Sequence, residues 1–223
     1  MISIVIPTLN EEKYIGKLLN CLTKQTFKDF EVIVVDGGSD DKTLNEVAKF
    51  NNLDLKIINS DKRNVSYQRN LGVSKAEFDR LLFLDADVVF EDDFLSKIKN
   101  SFGTVRMKPI DGKWYDKTFF GTINFLFSIL QFFKPYAIGS CIISNKQLHK
   151  KVNGFDNNIT FCEDFDYVRR CSKLSNFIFD RHNEVLVSVR RFERNGTKKT
   201  MKLWMKSFFY NLFTNKFIMV DYD

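Results

Sequence analysis

Asp85 and Asp87 end the apolar run Arg80-Leu-Leu-Phe-Leu-Asp-Ala-Asp-Val-Val-Phe90, two carboxylates separated by the small Ala86. Strand side chains alternate faces, so the spacing predicts that both acids point the same way from a strand end. On a dry sheet edge each would raise the other's pKa unless a counter-charge sat between them. A hard divalent cation, Mn2+ or Mg2+, supplies that charge and keeps positions open for phosphate oxygens. Solvated turn acids are the plainer alternative. A second acidic group lies in Phe161-Cys-Glu-Asp-Phe-Asp-Tyr-Val-Arg-Arg170, where Glu163, Asp164 and Asp166 open a helix. Acids there stabilise any helix N-terminus, so capping is an alternative to chemistry. Val185 to Phe192 reads as a strand ending in Arg190 and Arg191, a pair suited to a diphosphate or a phosphorylated acceptor.

The surrounding elements must bring these groups together. Ile2 to Ile6 is a short apolar run ended by Pro7, the form of a buried parallel strand. Thr8 and Glu11 have the spacing of a capping box, with Asn10 a competing cap, before a helix bearing Tyr14, Ile15, Leu18, Leu19 and Leu22. Phe30 to Asp36 is a second strand, turned by Gly37, Gly38 and Ser39. Leu55 to Ile58 is a third strand, Ser66 to Ala76 a helix, and then comes the acidic strand. Strands alternating with helices predict a parallel sheet with right-handed crossovers. In such sheets ligands lie beyond the strands' carboxyl ends. Pro7, Thr8, Asp36, Asp85 and Asp87 should therefore converge there. The chain has no G-x-G-x-x-G and no G-x-x-x-x-G-K-[ST], which argues against dinucleotide and P-loop chemistry. An edge lined by acids suits a nucleotide held through base, ribose and a metal-bridged diphosphate.

Composition narrows the class. The 223 residues are 44% hydrophobic and 28% charged, enough for a substantial core. Four cysteines without a C-x-x-C pair read as buried thiols in a reducing compartment. The chain opens on an apolar strand rather than a secretory leader, so a cytoplasmic location is expected. From Arg190 onward eight basic residues face three acidic ones, whereas the preceding chain is close to neutral. A basic end of this kind calls for an anionic partner, membrane or acceptor. No base-reading motif accompanies it, so nucleic acid is not expected.

Four segments carry a resemblance. Ile4-Val-Ile-Pro-Thr-Leu-Asn-Glu-Glu12, Val34-Val-Asp-Gly-Gly-Ser-Asp-Asp41, Arg69-Asn-x-Gly72 and Phe83-Leu-Asp-Ala-Asp87 are similar, in order and spacing, to the motifs of family 2 glycosyltransferases. Among these the chain resembles the dolichyl- and polyprenyl-linked glycan glycosyltransferases. The resemblance implies an α/β GT-A (Rossmann-like) fold, a mixed, mostly parallel sheet flanked by helices. It also implies inverting transfer of a sugar from a nucleotide-diphosphate sugar, UDP being favoured. Thr8 and Asp36 would lie near the base, with Pro7, Asn10 and Gly38 beside them. Arg69 would meet the nucleotide, Glu11 the donor, and Asp85, Ala86 and Asp87 the ribose and metal. Arg69 as a surface ion-pair residue stays open. The Glu163-Asp-x-Asp166 spacing matches the motif whose Asp is the base, which makes Asp164 the base and Glu163 and Asp166 supporting acids. Asn153-Gly-Phe-Asp156 resembles the family's Gly-Gly-Phe-Asp turn. The metal-binding histidine of many relatives is missing near Ser188, and so is the Gln-x-x-Arg-Trp of processive synthases. A sugar-phosphate nucleotidyltransferase would need a Gly-rich loop after the first strand, which this chain lacks.

The expected organisation is one GT-A domain over residues 1–192, a donor half (1–100) and an acceptor half (101–192), followed by a basic amphipathic helical tail over 193–223. Thr118 to Phe133 holds no formal charge but is shorter than the roughly 20 residues a spanning helix needs. On a helical wheel Phe119, Phe120, Ile123, Leu126, Phe127, Leu130 and Phe133 share a face. That face suits a membrane interface, or a core or dimer contact. In the tail Met201, Trp204, Met205, Phe208 and Leu212 form a stripe beside Lys198, Lys202 and Lys206. It suits an anionic bilayer, or docking on the domain. The partners expected are a nucleotide-sugar, a lipid-linked acceptor and the cytoplasmic face of a membrane, to which the protein would attach peripherally.

Overall fold

The computed structural model describes residues 1–110, 112–214 and 216, without the side chains at 191, 193 and 195. The phosphate role expected of Arg191 therefore lies outside the described residues. The donor half contains β1 (Ile2–Thr8), α1 (Ile15–Lys24), β2 (Phe30–Asp36), α2 (Thr43–Val47), β3 (Leu55–Asn59), α3 (Val65–Lys75), β4 (Arg80–Phe83), β5 (Val88–Val89) and α4 (Phe94–Lys97). Then follow β6 (Gly103–Pro109), α5 (Trp114–Leu130), β7 (Ile142–Asn145), α6 (Lys146–Lys151) and α7 (Glu163–Ser172). The chain closes with β8 (Ile178–Val187), α8 (Arg190–Asn195) and α9 (Thr197–Thr214).

Eight strands form one sheet in the order β3-β2-β1-β4-β7-β6-β8-β5. β1 pairs in parallel with β2 on one side and β4 on the other, so the strand order reverses at β1. That reversal opens a crevice at the carboxyl ends, where Thr8 lies opposite Asp36. β7 joins antiparallel to β4 and brings the second half alongside. The apolar runs of β1 and β2 are buried on both faces. α1 buries Ile15, Leu18, Leu19 and Leu22 against them, the face its sequence spacing gives. α3 lies close over β1, because a Cβ on Gly72 would stand 2.4 Å from a methyl of Val5.

Several boundaries move. Helix α1 starts at Ile15, and Tyr14 rather than Thr8 or Asn10 is its N-cap. Thr8 remains in the strand, while Asn10 takes the left-handed conformation and braces the neighbouring loop by accepting from the Asp40 N–H at 2.8 Å. β7 is short, confined to Ile142–Asn145. α4 is a single turn, Phe94–Lys97. The strand at Val185 ends at Val187, and the chain turns into α8, so a boundary after Phe192 would fall inside a helix.

The two amphipathic segments pack with the body. Phe120, Ile123 and Phe127 of α5 are buried, and Phe119, Leu126 and Leu130 rest against the core. The face read as suited to a membrane is therefore mostly the core face, and Phe133 alone of that set is strongly exposed. α5 also leaves Phe125 and Ile129 outside, and Phe132 is exposed just beyond its end. Likewise Met201, Trp204, Phe208 and Leu212 of α9 dock on the domain, leaving Phe209 and Phe213 outside. The Lys134 ammonium bonds the carbonyls of Asn211 and Leu212 and pins the ends of α5 and α9 together. Among the described residues no helix is long and apolar enough to cross a membrane.

Candidate active site

A cavity of about 1390 Å³ opens at the strand reversal and runs from Pro7, Thr8, Asn10 and Glu11, past Asp85, Ala86 and Asp87, to Glu163 and Asp164. Thr8 sits beside Asp36 as expected, with its hydroxyl donating to Asp36 Oδ1 at 3.3 Å. Asp36 lies behind the wall, where it shapes the loop. Its carboxylate also accepts from the N–H groups of Gly38 (2.9 Å) and Ser39 (2.8 Å) and from the Ser39 hydroxyl (2.5 Å). Gly38 adopts the positive φ that this turn requires.

The acidic pair does not sit on a strand. β4 ends at Phe83, and Asp85 and Asp87 occupy the turn before β5. Nor is the pair bare. Asp85 Oδ1 accepts from Arg69 Nη2 at 3.0 Å, and Asp87 Oδ2 accepts from Arg190 Nε at 3.0 Å. The counter-charges expected of a metal alone are thus supplied in part by two arginines. Arg190 also donates to Glu11 Oε1 at 2.5 Å and lies 4.0 Å above the Tyr14 ring. Its position on α8, beyond the end of β8, lets it reach back across the sheet. Glu11 Oε2 is buried without a hydrogen-bond partner. Burial raises the Glu11 pKa, Asp87 and Asp85 push the same way, and Arg190 opposes them.

Arg69 is only 1% exposed and joins the two halves. Besides Asp85 it donates to Glu163 Oε1 at 2.8 Å, and its guanidinium lies 5.1 Å from the Phe155 ring. Gly139 makes this possible, because a Cβ there would come within 2.3 Å of Arg69 Nη2. Burial alone would lower the Arg69 pKa, but Glu163, Asp85 and Asp164 outweigh it and raise it.

Asp164 lies in the first turn of α7, whose N-cap Cys162 has a left-handed backbone. Its Oδ2 accepts from the Gly139 N–H and its Oδ1 from the Phe165 N–H, both at 2.8 Å. Burial, and then the neighbouring Glu163, push its pKa up to about 8, against the pull of Arg69. Asp166 faces elsewhere. Two residues on along a helix is about 200° round, and Asp166 pairs with Arg169 (3.1 Å) and Arg170 (2.6 Å) away from the cavity.

Four features escaped the sequence reading. Gln68 Nε2 donates to the carbonyls of Thr8 (2.9 Å) and Val35 (2.8 Å), tying α3 to both central strands under the cavity. Its only signal was a polar side chain on a helix with little apolar periodicity. Arg63 bonds the Gly38 carbonyl and Asp40 at the cavity's outer edge. His149 is buried against Phe83 and Tyr167, and burial lowers its pKa to about 4. Asn70 clamps the Asn153–Asp156 turn by bonding the N–H and carbonyl of Phe155, each at 2.8 Å.

The sequence profile of glycosyl transferase family 2 matches residues 3–152. The chain belongs to that family. The poly(ribitol-phosphate) β-N-acetylglucosaminyltransferase TarS of Staphylococcus aureus is 34% identical over 130 residues, 53% of this chain and 23% of TarS. A dolichyl N-acetyl-α-D-glucosaminyl phosphate 3-β-D-2,3-diacetamido-2,3-dideoxy-β-D-glucuronosyltransferase of Methanococcus voltae is 39% identical over 109 residues, 46% of this chain and 33% of that protein. The chain thus spans only a quarter to a third of these relatives. The crystal structure of TarS 1–349 with UDP-GlcNAc matches with a TM-score of 0.68 at 25% identity, over 84% of this family 2 chain and 58% of that one. A Pyrobaculum calidifontis mannosyltransferase solved with GDP-Man and Mn2+ has a TM-score of 0.70 over 84% of this chain and 56% of that one, and at 18% identity shares the fold. The GT-A fold that the motifs imply is the fold observed.

Proposed function

We propose that this family 2 protein is an inverting glycosyltransferase that moves a sugar from a nucleotide-diphosphate sugar, UDP-linked by preference, to an acceptor hydroxyl. One observation carries the reading: a buried carboxylate, Asp164, shares a single cavity with the strand-end groups that suit a nucleotide. An acceptor hydroxyl is a poor nucleophile until a carboxylate within hydrogen-bond reach takes its proton. Asp164 takes it, held in place by the Gly139 and Phe165 N–H groups. Glu163 anchors that end of α7 to Arg69. Thr8, Gly38 and Asp36 shape the base end, and Pro7, Asn10 and Ala86 line the passage to the diphosphate. Arg190 offers the leaving diphosphate a fixed positive charge.

The residues also fit a divalent cation. Among the described residues no group of three or more metal-ligating side chains exists. Mg2+, however, is commonly held by one or two carboxylates completed by substrate phosphates. Asp87 and Asp85 suit that role, and the unpartnered Glu11 Oε2 adds an acceptor on the same wall. The cation, Mn2+ or Mg2+, would act as a Lewis acid toward the departing diphosphate. In a thermal-shift screen of UDP-, GDP- and TDP-sugars with and without Mn2+, one nucleotide class should raise Tm further with the metal. Asp87→Ala should remove the metal-dependent increment. An increment that survives the substitution takes Asp87 out of the metal role.

The acceptor is proposed to be lipid-linked and met at a membrane surface, to which the protein attaches peripherally from the cytoplasmic side. Supporting this, Phe132, Phe133, Phe209 and Phe213 stand exposed where α5 and α9 are pinned together. Aromatic side chains beside lysines favour an anionic bilayer interface. Phe132→Ser with Phe133→Ser should weaken sedimentation with anionic vesicles about tenfold or more. Sedimentation equal to that of the unaltered protein would remove the membrane from the account. Residues 193–223 are retained as the proposed attachment segment, with the docked stripe of α9 holding it to the domain.

A further inference from the structure

Arg190 stands where the acidic wall needs a counter-ion. Val187, at the end of β8, lies opposite Val88, so the chain leaves the sheet beside Asp87. Three residues on, Arg190 donates to Asp87 Oδ2 at 3.0 Å and to Glu11 Oε1 at 2.5 Å, with its guanidinium over the Tyr14 ring. The two carboxylate side chains are only 19% and 15% exposed, so solvent and salt screen these contacts little. Two acids facing one guanidinium leave a single negative charge, half of what they would offer a divalent cation unaided. Arg69 is placed differently. Its side chain is 2% exposed and held by Asp85 and Glu163 together, whereas that of Arg190 is 28% exposed and lines the open cavity.

We propose that Arg190 withholds Glu11 and Asp87 from a divalent cation until a nucleoside diphosphate occupies the cavity, which makes metal uptake conditional on the nucleotide. The inference rests on the glycosyl-transfer reading above and deepens it. A guanidinium and a divalent cation beside the same two carboxylates repel one another, so each weakens the other's hold. A diphosphate reverses that relation. Its oxygens offer Arg190 a partner matched to the guanidinium fork, and its negative charge restores the attraction for the metal. Glu11 Oε2 is buried without a hydrogen-bond partner, so the wall keeps acceptor capacity that Arg190 does not fill. Asp85 meanwhile stays with Arg69, and the exchange is confined to the contacts of Arg190.

Mn2+ binding, read as loss of the free ion's electron paramagnetic resonance signal, tests this without turnover. In the absence of nucleotide, Arg190→Gln should bind Mn2+ about tenfold or more tightly than the unaltered chain. Adding Asp87→Asn should abolish the gain, which places it at this wall. Arg190→Lys, which keeps the charge, should stay closer to the unaltered chain than to Arg190→Gln. With EDTA present, UDP should bind Arg190→Gln about tenfold or more weakly, the loss of a charge-assisted contact to phosphate. In the unaltered protein Mn2+ alone should leave Tm unchanged and should raise it once UDP is present. Equal Mn2+ affinity with and without Arg190, a gain that survives Asp87→Asn, or a rise in Tm with Mn2+ alone as large as that with UDP overturns the proposal. So does a gain in Arg190→Lys equal to that in Arg190→Gln. UDP affinity unchanged by Arg190→Gln overturns the hand-over to the diphosphate. Each of these results leaves glycosyl transfer standing. Failure of UDP, GDP and TDP alike to bind the unaltered protein instead overturns the transfer reading on which the proposal depends.

Discussion

Asp164→Asn should lower kcat by about 10²–10⁴-fold, the usual contribution of a positioned general base, while nucleotide affinity stays nearly unchanged. The donor end of the cavity loses nothing in this variant, whereas the acceptor hydroxyl loses its proton acceptor. Steady-state kinetics beside nucleotide titration separates the two, and a variant that keeps its kcat removes Asp164 from the base role. The pH profile adds an independent check. Burial and Glu163 hold the Asp164 pKa up to about 8. A base acts when deprotonated, so kcat/KM should rise with pH through about 8 with a slope of one proton. Removing the adjacent negative charge with Glu163→Gln should move that limb to lower pH. The same shift bears on stability: the folded chain binds this proton more tightly than the unfolded chain. Stability from it is present at low pH and lost as pH rises through about 8.

Arg69→Met should cost about 3–5 kcal/mol, near the lower figure because Asp85 reaches solvent. The guanidinium is 1% exposed and bonds Asp85 and Glu163 at once. Its loss leaves Glu163 half-enclosed with no cation. At roughly 2–4 °C per kcal/mol for a chain of this size, Tm should fall by about 6–12 °C or more. Arg69→Lys should recover only part of that, because an ammonium lacks the planar fork that reaches two carboxylates. In a thermal cycle, combining Arg69→Met with Glu163→Gln should cost less than the two changes added together. Strict additivity would mean that the two side chains do not interact.

Much of this site was legible because its motifs are local. Asp85 and Asp87 lie one residue apart, and Thr8, Asp36 and Asp164 each follow a short, recognisable pattern. The convergence of Thr8, Asp36, Asp85 and Asp87 followed from the parallel-sheet rule, since strand ends meet at the order reversal. What escaped was the set of contacts made across long sequence separations. Arg190 meets Asp87 across 103 positions and Glu11 across 179, and no periodicity announces such a pairing. The acidic pair therefore looked as if only a metal could neutralise it. The faces of α5 and α9 were left open between membrane and protein core for a different reason. Helical spacing identifies an apolar stripe but not what covers it, and in these helices the stripe covers the protein's own core. Asp166 was grouped with Asp164 through the resemblance to the Glu-Asp-x-Asp motif, although helix geometry turns it toward Arg169 and Arg170.

Arg190 also bears on how the protein is born. Glu11 and Asp87 emerge from the ribosome long before the arginine that joins them. Until α8 arrives, the early half can pair its strands with two like charges facing one another across an unfinished mouth. The mouth of the donor pocket thus cannot be neutralised from within the chain until residue 190 has been made.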